Sequence, residues 1–452
     1  MKKNLCFLLL ISCTAASFAD YQKVKEQTLP SSDKLTEYRL ENGLQVLLIP
    51  RHQAKVVTYQ TWFRVGSLHE KLDPKLKKTG LAHLFEHMMF RGTPDHPDGQ
   101  FDALSARMGA DKQNATTYFY RTNYFQSVPI RKLEDIMELE SDRMKNLNLV
   151  APILEKEKGA VVGERRRHDD NPMSIAWDNL LELVFEKSPY RYTVLGSENE
   201  IKGFTVEEAQ YFYKTFYAPN NCTLIVIGDF ENEKLMGLIE KFYGKMKSQV
   251  IPAVTIPGES EQKKERRREV AHSQATSELL LMAYPIPKVA DADVVPLNLL
   301  SAHLSTGNEA RLHKTLVDKG IAVSASADLS SSPDLFELSA SLTEKHRAED
   351  ALRVIDKEIE SAKSTKISPT QFQRALNQEL LSLYTHISDN QSLGSLLGEY
   401  LTVDGNYLRG FEIIEEYKKI SAADLQRVAK KYLKKEKRSV VIIRPAKKEK
   451  KS

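Results

Sequence analysis

The chain runs through an order of strand-like and helical segments, lapses, and then runs through a similar order again; no other feature restricts its fold as much. From Tyr38, "YRLENGLQVLLIP" reads as two short strands around an Asn42-Gly43 turn, and "VVTYQTWFRVGS" reads as a further strand. Gly80 to Phe90 is a helical stretch, with Thr79 positioned to cap it and Leu81, Leu84, Met88 and Met89 available for burial. Strand formers follow in "NATTYFYRTNYFQSVP", then two helical patterns, "LEDIMELESDRMKN" and "PILEKEKGAVVGERRRH", the second with Pro152 in its first turn. "TVEEAQYFYKTFY" is helical and "NNCTLIVIGDF" is a buried strand. Between Ser248 and His272 the periodicity gives way to Pro, Gly and a dense charge run, which reads as an interdomain connection. Beyond it come a strand "SELLLMAYPIP", helices "VVPLNLLSAHLS" and "EARLHKTLVDKG", strands "IAVSASADL" and "LFELSASLT", and a helix "AEDALRVIDKEIESAKS". The prediction is an α+β fold of two homologous domains, each a mostly antiparallel sheet packed with helices: residues 20–247 and 273–444, joined by 248–272 and followed by a basic tail, 445–452.

A chain of 452 residues that is 41% hydrophobic and 28% charged can fill cores of this number. The net charge of +4 is a small difference between 65 basic and 61 acidic residues, so nothing global argues for nucleic acid or an anionic membrane as partner. At the N-terminus, "MKKN" precedes the apolar run "LCFLLLIS" and small residues ending "ASFAD", the pattern of a secretory signal peptide cleaved after Ala19. That predicts a periplasmic protein beginning at Asp20; the alternative is a lipoprotein box, Leu10-Ile11-Ser12-Cys13, that would anchor it through Cys13. No other segment approaches the ~18 apolar residues of a spanning helix. Cys6 and Cys13 lie in the leader, so only Cys222 remains, an inert core residue that leaves no intrachain disulfide and no cysteine metal site.

In the first half, the helical stretch carries His83-x-x-Glu86-His87. Residues i and i+4 of a helix share a face and i+3 borders both, so the three side chains project together. Two imidazoles so spaced can chelate one zinc ion while the carboxylate accepts a proton from water; the plain alternative is an amphipathic helix with surface histidines. A catalytic zinc takes a third protein ligand. Glu157 and Glu164, two turns apart on the helix from Pro152, offer one, although glutamates on such a helix are usually solvated. His168, Asp169 and Asp170 read as a solvent-facing polar turn, and the second-half helix "LNLLSAHLS" has no paired histidines.

With those residues, "ENGLQVLLIP", "GADKQNATTYFYRTNYFQSVP", "ERRRHDDNP", "SPYRYTVLGSENEIKGFT" and "FYAPNNCTLIVIGDF" make the sequence resemble the pitrilysin/insulinase family of zinc peptidases, whose motif inverts the usual H-E-x-x-H order. The likeness is close from Lys34 to about Phe230 and looser beyond. It implies one Zn2+ per chain held by His83, His87 and Glu164, with Glu86 as general base and Glu157 as the partner that orients the ligands. It implies also that backbone around Asn114, Ala115 and Thr116 pairs with an extended peptide substrate. The family completes its site with an arginine and a tyrosine from a second half or a partner subunit. Here Leu316 or Val317 stands for the arginine and Val323 for the tyrosine, while Arg311 falls at a structural position. Neither leucine nor valine can donate a hydrogen bond, so the resemblance implies a heterodimer with a homologous subunit bearing the Arg/Tyr pair, with a homodimer as the alternative. The expected activity is that of a zinc endopeptidase on peptides or unfolded segments. A non-catalytic scaffold or chaperone-like subunit is the runner-up, and metal storage or sensing, which has no use for Glu86, is the third reading.

Overall fold

Two sheets organise the chain in a computed structural model that describes residues 20–446; the leader reading, with Cys6 and Cys13, and the tail from residue 447 lie outside the described residues. The first sheet contains β1 (Tyr21–Thr28), β2 (Lys34–Leu40), β3 (Gln45–Pro50), β4 (Val56–Phe63), β5 (Asp111–Thr117), β6 (Thr122–Pro129) and β7 (Cys222–Gly228), in the order β1-β2-β3-β7-β4-β6-β5. The second contains β8 (Arg266–His272), β9 (Leu279–Pro285), β10 (Ala322–Ser331), β11 (Asp334–Leu342) and β12 (Ser439–Pro445), in the order β10-β11-β9-β12-β8. The connection at 248–272 thus ends in a strand of the second sheet.

The duplication is visible in the pairing. Taking β3 to β7 in turn as counterparts of β8 to β12, the order β3-β7-β4-β6-β5 becomes β8-β12-β9-β11-β10. The parallel pair also corresponds, β3 with β7 and β8 with β12, and the other pairs are antiparallel. β1 and β2 extend the first sheet alone. Central strands covered on both faces must be apolar throughout, which is why β3 and β7 read as unbroken runs in "QVLLIP" and "CTLIVIG". Cys222 sits in that core, where burial pushes its thiol up.

Each half covers the back of the other's sheet. On the first sheet, Leu47, Trp62, Ile225 and Ile227 pack against Leu393, Leu397, Leu401 and Phe411, which belong to second-half helices Asn390–Asp404 and Arg409–Tyr417. On the second sheet, Leu281, Leu335 and Val441 pack against Ala176, Leu180 and Leu181 of the first-half helix Pro172–Val184. The exchange buries both backs and fixes the two sheets against one another. The stretch read as the helix "EARLHKTLVDKG" contains a π-helical turn, His313–Val317, with Leu316 in the second core. Among the described residues, no helix is long and apolar enough to cross a membrane.

Candidate metal centre and cleft

The His83-x-x-Glu86-His87 segment is a helix, Leu81–Met88, with Leu81, Leu84, Phe85 and Met88 buried. Its start differs from expectation. Thr79 does not cap it: Gly80 occupies the cap position in a left-handed conformation (φ 96°), and the Thr79 hydroxyl donates instead to Glu200. A side chain at residue 80 would meet the Leu195 carbonyl oxygen at 2.5 Å, so both conformation and space call for glycine. The free N–H groups are taken by Glu70, from the short helix Ser67–Leu72: its carboxylate accepts from Gly80 N at 2.8 Å and from Ala82 N at 2.6 Å. Glu70 is completely buried. Glu70→Ala orphans two buried donors at about 1–3 kcal/mol each, so urea melting should show a loss of several kcal/mol and chelator competition a weakened zinc affinity. Parent-like values on both measurements would contradict this role.

Beside it, His69 is also buried, its Nδ1 accepting from Gly66 N at 3.2 Å, and burial lowers it to about 4. From pH 6.5 down to about 4 the unfolded chain binds a proton that the folded chain refuses. Its contribution is therefore complete above pH 6.5 and is lost as pH falls towards 4, by up to about 3 kcal/mol. Urea melts of the parent and of His69→Gln across this range should differ in slope by one proton, the parent being the steeper.

Glu157 and Glu164 lie on the helix Ala151–Asp169, which packs beside the histidine helix. Glu164 Oε2 is 3.7 Å from His83 Nε2 and 3.4 Å from His87 Nε2, and donor atoms of all three residues lie within 4.8 Å of one another. Ligands about 2.0–2.1 Å from a tetrahedral zinc stand about 3.3 Å apart, so this spacing fits that ion with little adjustment. Glu157 is 1% exposed; its Oε2 lacks a hydrogen bond and lies 3.6 Å from His87 Nδ1, while its Oε1 is 2.8 Å from Arg91 Nε in an ion pair without hydrogen-bond alignment. It is placed as a carboxylate behind a metal-ligating histidine is placed. Burial lowers His83 to about 4; it also opposes charge on His87, yet Glu157 and Glu164 raise that ring to about 9. The carboxylates of Glu157 and Glu164 thus favour positive charge at His87, while burial disfavours it at His83. Nitrogen and carboxylate donors of this kind suit zinc.

Glu86 does not join the donor set. Its Oε2 accepts from Thr117 Oγ1 at 2.5 Å, and burial raises its carboxyl. It lines a cleft of about 920 Å3 with His83 and Glu164 on one wall and Leu329, Ser330 and Glu337 on the other. β5 ends its sheet, with one side unpaired, and Ala115 and Thr116 line the cleft. Asn114 lies on the same strand but outside that lining, its Oδ1 folded onto Ala115 N at 2.9 Å. His168 is not solvent-facing: it lines the cleft and contacts Asp178 at 3.0 Å, whereas Asp169 pairs with Arg165 and Asp170 is exposed.

At the positions compared with the family's arginine and tyrosine, Leu316 is core, Val317 is half-buried and Val323 is 69% exposed near the start of edge strand β10. Arg121 reaches the cleft, but its Nε is held by Glu399 at 2.8 Å and its Nη1 by Thr116 and Asn123. Arg311 Nε pairs with Glu358 at 2.7 Å, a structural contact. Glu70, Arg91 and Thr117 escape a reading of the sequence, because none has a diagnostic spacing and each acts through a chain fold that brings distant segments together.

Residues 45–198 match a family model described as Insulinase (Peptidase family M16), and residues 203–379 one described as Peptidase M16 inactive domain. The zinc protease PqqE of Helicobacter pylori (strain ATCC 700392 / 26695) is 26% identical over 451 residues, 98% of each chain. The probable zinc protease PqqL of Escherichia coli (strain K12) is 29% identical over 252 residues, 54% of this chain and 26% of that one, so that relative is about twice as long. A solved structure of a protease from Helicobacter pylori superposes with a TM-score of 0.85 at 25% identity, over 91% of this chain and 100% of the other.

Proposed function

We propose, from the premise that the chain belongs to the insulinase (M16) family of peptidases, that it is a zinc-dependent endopeptidase acting on peptides or unfolded segments. The observation that carries the reading is the convergence of His83, His87 and Glu164, of which His83 and Glu164 line one wall of the cleft together with Glu86. When bound, zinc supplies Lewis acidity, making a water acidic and polarising the scissile carbonyl. Glu86 takes the proton of the attacking water and delivers it to the leaving amine, with Thr117 orienting its carboxylate. Glu157 keeps the His87 ring in its ligating orientation, and Arg91 holds Glu157. The free edge of β5, at Asn114, Ala115 and Thr116, takes the substrate backbone as an added strand.

On this reading residues 20–247 form the catalytic unit and 273–444 the unit that closes on it, with 248–272 between. The oxyanion donors come from a homologous subunit bearing the Arg/Tyr pair, the alternative being a second copy of this chain. Support comes from Leu316, Val317 and Val323, none of which can donate, and from the doubled length of the PqqL relative, which has room for a second such half. The leader pattern supports periplasmic export, with anchoring through Cys13 as the alternative.

The second reading, a non-catalytic scaffold, draws on the match of residues 203–379 to a model described as inactive; against it, His83, Glu86, His87 and Glu164 all lie within 45–198. The test is purification with and without co-purifying chains. Peptidase activity should appear only with the homologue, disappear on chelation and return with zinc. Full-rate hydrolysis by the isolated chain removes the partner from the proposal, and hydrolysis indifferent to chelation removes the metal.

A further inference from the structure

The duplication leaves a second pocket. In the first half the cleft wall is built from the helix Leu81–Met88, one of three between β4 and β5, and from the helix Ala151–Asp169; their counterparts are Val294–Ser305, between β9 and β10, and Pro369–Ser388. Between these counterparts lies a cavity of about 290 Å3. The histidines are replaced there. Asn298 Nδ2 donates to Glu379 Oε2 at 2.6 Å, and the Tyr417 hydroxyl donates to the same oxygen at 3.2 Å. The other oxygen, Oε1, has no hydrogen-bond partner among the described residues.

Val295, Leu383, Leu396 and Ile413 give the cavity apolar walls, Ser382 and Tyr400 add polar groups, and Asp334 faces the same space. Burial holds the Asp334 carboxyl up at about 7 and raises Glu379 as well. Among the described residues, no lysine, arginine or histidine lies within ion-pair distance of either carboxylate; Lys288 acts on Asp334 only from farther away. His386 also lines the cavity, its Nδ1 donating to the Ser382 carbonyl at 2.8 Å. Leu329 and Ser330, at the end of the β10–β11 hairpin, line both this cavity and the catalytic cleft, so the two spaces share one wall.

We propose that this cavity is a side-chain subsite of the peptidase cleft, taking a lysine or arginine of the bound peptide: the alkyl stem lies on Val295, Leu383 and Leu396, and the cationic head meets Asp334 and Glu379 Oε1. The assignment rests on the peptidase reading above. A space of this size suits one long side chain better than a whole cofactor. Partly buried carboxylates with no basic side chain beside them are stabilised in their charged form by an incoming cation, and a basic residue is the side chain that joins an apolar stem to one.

The experiment uses the full-length zinc-loaded chain, together with any co-purifying subunit, in a Glu86→Gln background so that peptide is not consumed. Binding is compared for two unstructured peptides that differ only by lysine or norleucine at one position. The lysine peptide should bind about tenfold more tightly. Asp334→Asn and Glu379→Gln should each bring the ratio towards one, and Asp334→Lys should turn the preference to a glutamate peptide. Equal affinity for lysine and norleucine, or a lysine preference unchanged in both neutral variants, overturns the subsite. Cleavage of the norleucine peptide by the parent protein decides the peptidase reading separately, whatever the affinities.

Discussion

Glu86→Gln should leave a folded protein that still binds zinc and hydrolyses peptides about 10^3-fold more slowly, within the range lost when a positioned general base is removed. The substitution keeps the shape of the side chain and one oxygen for the Thr117 hydroxyl, so the helix Leu81–Met88 has no reason to move. What it removes is the ability to accept and return a proton. Because Glu86 is outside the His83, His87 and Glu164 donor set, metal content should match the parent's. Measured together, zinc stoichiometry and kcat separate three cases. Retained zinc with lost hydrolysis supports the endopeptidase; retained zinc with unchanged activity would falsify the role of Glu86; lost zinc would assign Glu86 to the metal instead.

Gly398→Ala is the substitution expected to damage the fold most for its size. The helix Asn390–Asp404 lies on the back of the first sheet, where Gly394 rides over Gln60 and Gly398 over Trp62. A Cβ at residue 398 would sit 2.1 Å from Trp62 Cε2, and Trp62 has nowhere to go: it is 1% exposed and its Nε1 donates to Gln60 Oε1 at 2.9 Å. The helix must therefore lift from the sheet, loosening Leu393, Leu397 and Leu401 and drawing Glu399 away from Arg121 at the cleft. Overpacking of a rigid site costs about 3 kcal/mol, at the upper end for added methyl groups. Denaturant unfolding should shift to lower concentration, and proteolysis should release the clasping helices before the first sheet is cut. A variant as resistant as the parent would show that the interface between the halves yields more readily than its geometry suggests.

Local periodicity decided much of this protein. The i, i+4 spacing puts His83 and His87 on one helical face, the pattern of strands and helices announces a duplicated α+β unit, and apolar runs mark β3 and β7 as central. These properties depend on a few neighbouring residues, so a linear reading reaches them. Thr79 shows where that reading stops: it has the chemistry of a cap, but the cap is Glu70, ten residues before Gly80 and delivered by another helix. Glu164 is similar, since solvated glutamates on long helices look the same until the packing of two helices sets its oxygen 3.4 Å from His87. Only tertiary structure decided that each half covers the other's sheet, that Gly394 and Gly398 are small because a tryptophan and a glutamine lie under them, and that a second pocket abuts the cleft. The reason is physical: contacts between segments remote in sequence leave no period behind, and a buried carboxylate declares its partner only when the fold has brought the two together.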